Sequence, residues 1–335
     1  MSTPRAAGVI ATLGAGRMGR GIAHAFAYAG HEVWMIDLKA RSAAAFEQLR
    51  SEAMAEIDAS LHALAELGLF DPGECPTILE RIHVAGRDAA AAALARASIV
   101  FEGVPEVLEA KQEALAWAGN HLRPDAILAS TTSTFLVNTL ARMVRQPERF
   151  LNAHWLNPAY VIPLVELSAH PQTDPDVIRT LRACLEQIGK VPVLCSAAPG
   201  YIVPRLQSLI MNEAARMIEE GVASAEDIDR ATRYGLGFRY AAMGVVEFID
   251  YGGNDILYYA SRYLAGELGP RYEAPDIVRR YMEEGRIGLR SGSGFYDYSN
   301  IDEAAYRKDA LARILSMLRH QGLARAPGQT VSRED

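Results

Sequence analysis

Three glycines mark the first place where spacing could do chemistry. Gly14-Ala15-Gly16-Arg17-Met18-Gly19 follows the apolar run GVIATL and leads into a segment with Ile22, Phe26 and Gly30 on one helical face. In a strand, glycine turn and helix of this kind, the first glycine makes the tight turn. The second lets the backbone approach a pyrophosphate, and the third lets helix and strand pack closely. The helix start offers free N–H groups and the positive end of its dipole to phosphates. Asp37 ends the next strand, HEVWMID. A carboxylate there accepts hydrogen bonds from an adenosine ribose and repels a 2′-phosphate. Strand, loop, helix, strand and acid in that order predict an NAD site. Lys39 and Arg41, close behind, weaken the bias against NADP, and FAD stays open on the loop alone.

Other reactive side chains point to less. Cys75, Cys184 and Cys195 are odd in number, widely spaced and without a C-x-x-C pair, which excludes a disulfide framework and argues against zinc. Cys184 and Cys195 read as small buried hydrophobes. His24, His31, His62, His83, His121, His170 and His320 show no metal-ligand spacing, so no metal is expected. The net charge of −7 carries no nucleic-acid footprint. No uncharged apolar stretch reaches the roughly 18 residues of a membrane span. The first residues lack the charged and apolar regions of a signal peptide, and a reducing cytoplasm is the expected compartment.

The elements that must position these residues alternate. Strand-like runs at GVIATL, HEVWMID, RIHVAG, SIVFEGV, AILASTTS, RFLNAHWLNP, LVELSAH and VPVLCS are separated by helical segments, which argues for a parallel, doubly wound sheet. A long helical insertion, about 41–80, follows the second strand. After AAPGYIVP the pattern becomes helical with almost no strand. VPRLQSLIMNEAARMIEEG is one long amphipathic helix stopped by Gly221, and Ser224 caps the next. The expected organisation is a Rossmann-type α/β domain over 1–198, an all-helical domain over 199–320 and a polar tail over 321–335.

Longer motifs narrow the chemistry. VFEGVPEVLEAK, NAHWLNPAYVIPLVEL, GKVPVLCSAAPGYIV, EEGVASAEDIDRATRYGLG and GLRSGSGFYDY together resemble the 3-hydroxyacyl-CoA dehydrogenase family, from about residue 8 to residue 298. The resemblance implies a Rossmann domain, a helical domain that forms a homodimer, and hydride transfer between NAD and C3 of a 3-hydroxy substrate. His154 matches the family's base and Glu166 its partner. Oxidising a secondary alcohol requires the hydroxyl proton to leave as hydride moves, and an imidazole suits that task near neutrality. A neighbouring carboxylate stabilises the imidazolium and fixes its tautomer. Ser133 matches a serine near the substrate oxygen, and Asn157 an asparagine beside the nicotinamide. Glu106 and Lys111 match cofactor-side residues.

Two departures bear on the substrate. The family's asparagine in GF-x-x-NR, which contacts the reacting oxygen, is Pro204 here, a residue without N–H or side-chain donor but suited to a helix start. Gln207, one turn on, is a candidate substitute. Residues 42–79 carry one basic residue, Arg50, against seven acids, a surface that repels polyanionic CoA. GLGFRYAAMG resembles the branch containing gulonate dehydrogenase and lambda-crystallin, with carnitine dehydrogenase nearby, and there Arg239 could hold a substrate carboxylate. The resemblance thus implies a short-chain L-3-hydroxyacyl-CoA dehydrogenase, of the 3-hydroxybutyryl-CoA kind. The alternatives are a CoA-free 3-hydroxy-acid dehydrogenase or a non-catalytic relative.

Overall fold

The computed structural model describes residues 8–328; residues 1–7 and the last part of the expected polar tail, 329–335, lie outside the described set. The chain forms two compact units, Met1–Met211 and Asn212–Asp335.

In the first unit the elements run β1 (Val9–Leu13), α1 (Arg17–Tyr28), β2 (Val33–Ile36), α2 (Ala43–Glu66), α3 (Cys75–Leu79), β3 (Ile82–Ala85), α4 (Arg87–Arg96), β4 (Ala97–Glu102), α5 (Leu108–His121), β5 (Ile127–Ser130), α6 (Val137–Leu140), β6 (Phe150–Trp155), β7 (Leu164–Ser168), α7 (Pro175–Gln187), β8 (Val191–Cys195) and α8 (Val203–Glu219), within which the unit boundary falls. The eight strands make one sheet in the order β3-β2-β1-β4-β5-β6-β7-β8. Alternation along the strands fills a core on each face. Ile10, Met35, Ile99 and Phe101 pack with Phe26 and Leu61 on one side. Leu13, Ile36, Val100 and Leu128 pack with Leu94 and Leu115 on the other. Each large side chain so buried contributes about 1.5–3 kcal/mol.

The expected doubly wound parallel sheet forms, with one antiparallel pair in it. β6 and β7 pair antiparallel, and every other neighbouring pair is parallel. The link from Trp155 to Leu164 is too short to hold the crossover that a parallel pair needs, so the chain turns straight back. Lys190, just before β8, pins this link: its ammonium donates to Ala159 O at 2.7 Å and Ile162 O at 2.9 Å. One expectation is corrected: Cys184 is buried as read from the sequence, as is Cys75, but Cys195 is only half-buried.

The second unit continues with α9 (Ala225–Ala231), a π-helical stretch at Thr232–Gly237, α10 (Phe238–Ala242), α11 (Val245–Gly252), α12 (Asn254–Leu268), α13 (Asp276–Glu283) and α14 (Glu303–His320). Ser224 caps α9 by accepting from Asp227 N, as its position predicts. The SGSGFYDY segment wraps around Asp250, whose buried carboxylate accepts from Phe295 N at 3.0 Å and Tyr296 N at 2.8 Å. A Cβ at Gly294 would lie 2.2 Å from Asp250 Oδ1, so only glycine fits there. No helix among the described residues is long and apolar enough to cross a membrane.

Candidate active site

The glycine loop closes the carboxyl end of β1, at the switch point where β1 has β2 on one side and β4 on the other. Gly14 sits at φ +109°, and a Cβ on Gly19 would fall 1.9 Å from Gly14 O. A Cβ on Gly16 would meet nothing within 4 Å, so that face of the loop is open to a ligand. Gly16 precedes α1 without a side-chain cap, which leaves the first N–H groups of the helix for an anion. The loop opens onto a cavity of about 580 Å³ lined by Gly14, Ala15, Gly16, Asp37, Gly103 and Trp117, among others. A glycine loop at a helix start, the carboxylate at the end of β2 and the Trp117 ring in one cavity fit an adenine dinucleotide. Met18 packs against the core, and Arg17 lines a second cavity of about 180 Å³ together with Asn157, His24, Ser60 and Tyr160.

His154 and Glu166 face each other directly across the antiparallel β6–β7 pair. Their separation is 2.9 Å, from Nδ1 to Oε2, and both are buried. The other carboxylate oxygen, Oε1, accepts from Ile202 N and Val203 N, each at 2.8 Å. The carboxylate therefore holds the main chain at the start of α8 and the imidazole together. With Nδ1 donating to Glu166, Nε2 keeps its lone pair for a substrate proton. Tyr201 stacks on the imidazole with ring centres 4.8 Å apart and planes 9° apart. Its backbone is left-handed, at φ +45°. Its hydroxyl donates to Thr132 O at 2.8 Å and accepts from Asn152 Nδ2 at 2.9 Å. Burial pushes that phenol well above its ordinary range.

A second polar cluster ties the ends of β4 and β5. Lys111 is buried, with its ammonium 3.0 Å from Glu102 Oε1 and 3.2 Å from Glu106 Oε2. Glu102 also accepts from Val104 N at 2.9 Å and from the Ser130 hydroxyl at 2.5 Å. Burial works to raise the Glu106 carboxyl, but hydrogen bonds from Thr132 and Thr134 and the charge of Lys111 prevail and hold it below its ordinary value. The Lys111 charge is thus spent inside the protein, bracing the loop after β4.

The remaining sequence-derived residues are less engaged. Ser133 and Asn157 are exposed, and a cis peptide joins Asn157 to Pro158. Pro204 lies in the first turn of α8, as its backbone suits, and Gln207 is exposed on the same helix. Arg239 belongs to the second unit, where its guanidinium lies 4.3 Å over the Phe248 ring. Reading by residue type missed Tyr201, Asn152 and Thr132, because stacking and a left-handed tyrosine leave no spacing signal. Among the described residues, no three metal-ligating side chains converge.

Comparisons with known proteins agree across nearly the whole chain. The family model described as "3-hydroxyacyl-CoA dehydrogenase, NAD binding domain" matches residues 9–198, and "3-hydroxyacyl-CoA dehydrogenase, C-terminal domain" matches residues 200–298. A 5-formyl-3-hydroxy-2-methylpyridine 4-carboxylate 5-dehydrogenase of Mesorhizobium japonicum is 28% identical over 92% of this chain and 97% of its own. A probable 3-hydroxybutyryl-CoA dehydrogenase of Deinococcus radiodurans is 31% identical over 85% of this chain and 98% of its own. The crystal structure of a 3-hydroxyacyl-CoA dehydrogenase from Archaeoglobus fulgidus superimposes with a TM-score of 0.73 at 32% identity, covering 95% of this chain and all of that one.

Proposed function

The chain belongs to the 3-hydroxyacyl-CoA dehydrogenase family of NAD-dependent oxidoreductases, and from that premise we propose that it oxidises a short-chain L-3-hydroxyacyl-CoA to the 3-oxoacyl-CoA with His154 as base. The observation that carries this reading is the buried His154–Glu166 pair at 2.9 Å. His154 Nε2 takes the C3 hydroxyl proton as the C3–H bond breaks. Glu166 stabilises the imidazolium and keeps the ring from rotating. When bound, NAD supplies the acceptor for the hydride. Gly14, Ala15, Gly16 and Gly19 shape the pyrophosphate cradle, and Asp37 faces the ribose. Glu106, braced by Lys111, forms part of the cofactor side, with Arg17, Met18 and Asn157 completing it. Ser133 orients the substrate oxygen.

The helical unit supports a homodimer. Ile256, Tyr259 and Tyr263 on α12 are exposed in the single chain, and sedimentation velocity should return twice the chain mass. Buried free Cys75 and Cys184 suit a reducing cytoplasm.

A second reading, a dehydrogenase for a small 3-hydroxy acid without CoA, is favoured by α2 and by Pro204. On α2, Glu56 pairs with Arg20 and Glu47 with Arg50, while the other acids leave the surface anionic. In that reading Arg239 binds the substrate carboxylate and Gln207 replaces the donor that Pro204 lacks. The test is NADH formation from 3-hydroxybutyryl-CoA, free 3-hydroxybutyrate, gulonate and carnitine. Highest kcat/KM on the thioester supports the first reading, and highest on a free acid supports the second. Bound NAD with no turnover on any of them defeats both.

A further inference from the structure

The ribose end of the dinucleotide cavity carries an arrangement at odds with strict selection against phosphate. Asp37, the acid that should repel a 2′-phosphate, is already engaged: Arg41 Nε donates to its Oδ2 at 2.5 Å. The carboxylate is buried, whereas the Arg41 side chain is about a third exposed, so the arginine lies over the acid on the solvent side. Lys39 and Arg87 line the same cavity. Neither side chain has an ion-pair or hydrogen-bond partner among the described residues. Arg87 is brought there by the sheet. It opens α4 directly after β3, and Asp37 N donates to Ala85 O at 2.9 Å where β2 and β3 run side by side. The remaining acid in the lining is Glu113, on α5 beside Trp117. The ribose end thus holds one carboxylate neutralised by its own arginine and two uncompensated cations.

We propose that this end accepts an adenosine 2′-phosphate, so that the enzyme binds NADP(H) as well as NAD(H). Arg41 cancels the charge of Asp37, and Lys39 and Arg87 take the phosphate. The proposal rests on the reading of the glycine-loop cavity as the dinucleotide site. An acid in this position excludes NADP by charge as well as by hydrogen bonding, and pairing the acid removes the charge component. A guanidinium suits the task because it can keep the carboxylate on one edge while offering further donors from its other nitrogens.

The test compares adenosine 5′-monophosphate, adenosine 2′,5′-bisphosphate and adenosine 3′,5′-bisphosphate by isothermal titration, and NADH with NADPH by fluorescence titration. The 2′,5′-bisphosphate should bind at least as tightly as the monophosphate and more tightly than the 3′,5′ isomer, with the stronger salt dependence. Arg41→Ala, which bares Asp37, should lower the NADPH-to-NADH affinity ratio about tenfold or more. Lys39→Ala with Arg87→Ala should lower it by a similar factor. Wild-type protein that binds the 2′,5′-bisphosphate about a hundredfold more weakly than the monophosphate overturns the proposal. So does an unchanged ratio in both variants. Equal binding of the two bisphosphates overturns it too, because the cations would then hold any phosphate, including that of CoA. Failure of the monophosphate and NADH to bind overturns the underlying cofactor reading instead.

Discussion

Glu166 and Asp250 are both buried carboxylates that hold two main-chain N–H groups, one in each unit of the protein. Glu166 uses a single oxygen for that task and turns the other to His154, while Asp250 spends both oxygens on the backbone and, among the described residues, pairs with no histidine. His24 supplies the converse case. It is buried, stacks on Tyr160 at 4.3 Å and meets the Ser60 hydroxyl at 2.8 Å, and among the described residues no carboxylate pairs with it. Burial, assisted by the charge of Lys190, pushes its pKa down to about 4. A buried acid alone is a clamp, and a buried histidine alone stays neutral. The antiparallel return of β7 puts the two together, and that combination can move a proton.

Variants can break this contrast in graded steps. Glu166→Gln keeps an oxygen for the helix start but removes the charge facing the imidazole. Turnover should fall about 10²- to 10³-fold, with NADH affinity nearly unchanged in fluorescence titration. A fall in stability with intact turnover would instead make Glu166 another Asp250.

His24 tests the converse through pH. Its folded pKa lies below the unfolded value of 6.5, so the unfolded chain takes the proton first as pH falls. Stability attributable to this residue is complete above about pH 6.5 and declines toward pH 4, by roughly 3 kcal/mol in all. Urea titrations at several pH values should show the wild type losing more stability than His24→Gln between about pH 6.5 and pH 4.

Asp250→Asn turns an amide donor toward one of two buried N–H groups. Unfolding should be easier by about 1–3 kcal/mol, with turnover per folded molecule within about twofold of wild type. The smallest effect belongs to Tyr201→Phe, which keeps the stacked ring but deletes the hydroxyl held by Thr132 and Asn152. A loss of about 1 kcal/mol in stability with turnover lowered by less than about threefold is expected. A much larger turnover defect would place the hydroxyl itself in the reaction.

The sequence disclosed some of this and hid the rest, for physical reasons. The glycine loop was legible because its strand, turn, helix and acid are contiguous and each residue type has one steric role. The alternation of strands and helices was legible for a similar reason. The reversal at β7 was not, because LVELS is equally apolar whichever direction it runs, and direction is set by the short link and by Lys190 beneath it. SGSGFYDY stood out as a specific motif, yet only the structure shows that its Gly294 makes room for the Asp250 carboxylate. Lys111 matched a cofactor-side residue, but its burial against Glu102 and Glu106 shows only in the structure. The pairing of Arg41 with Asp37 depends on a side-chain rotamer, which residue spacing does not reveal.

The most direct test of the central claim is the single-turnover appearance of NADH when excess enzyme, saturated with NAD, meets the best substrate of the panel. His154→Ala should slow that step about 10³- to 10⁴-fold while the variant stays folded and its NADH affinity stays close to wild type. Hydride transfer at the wild-type rate in a folded His154→Ala protein would contradict the account.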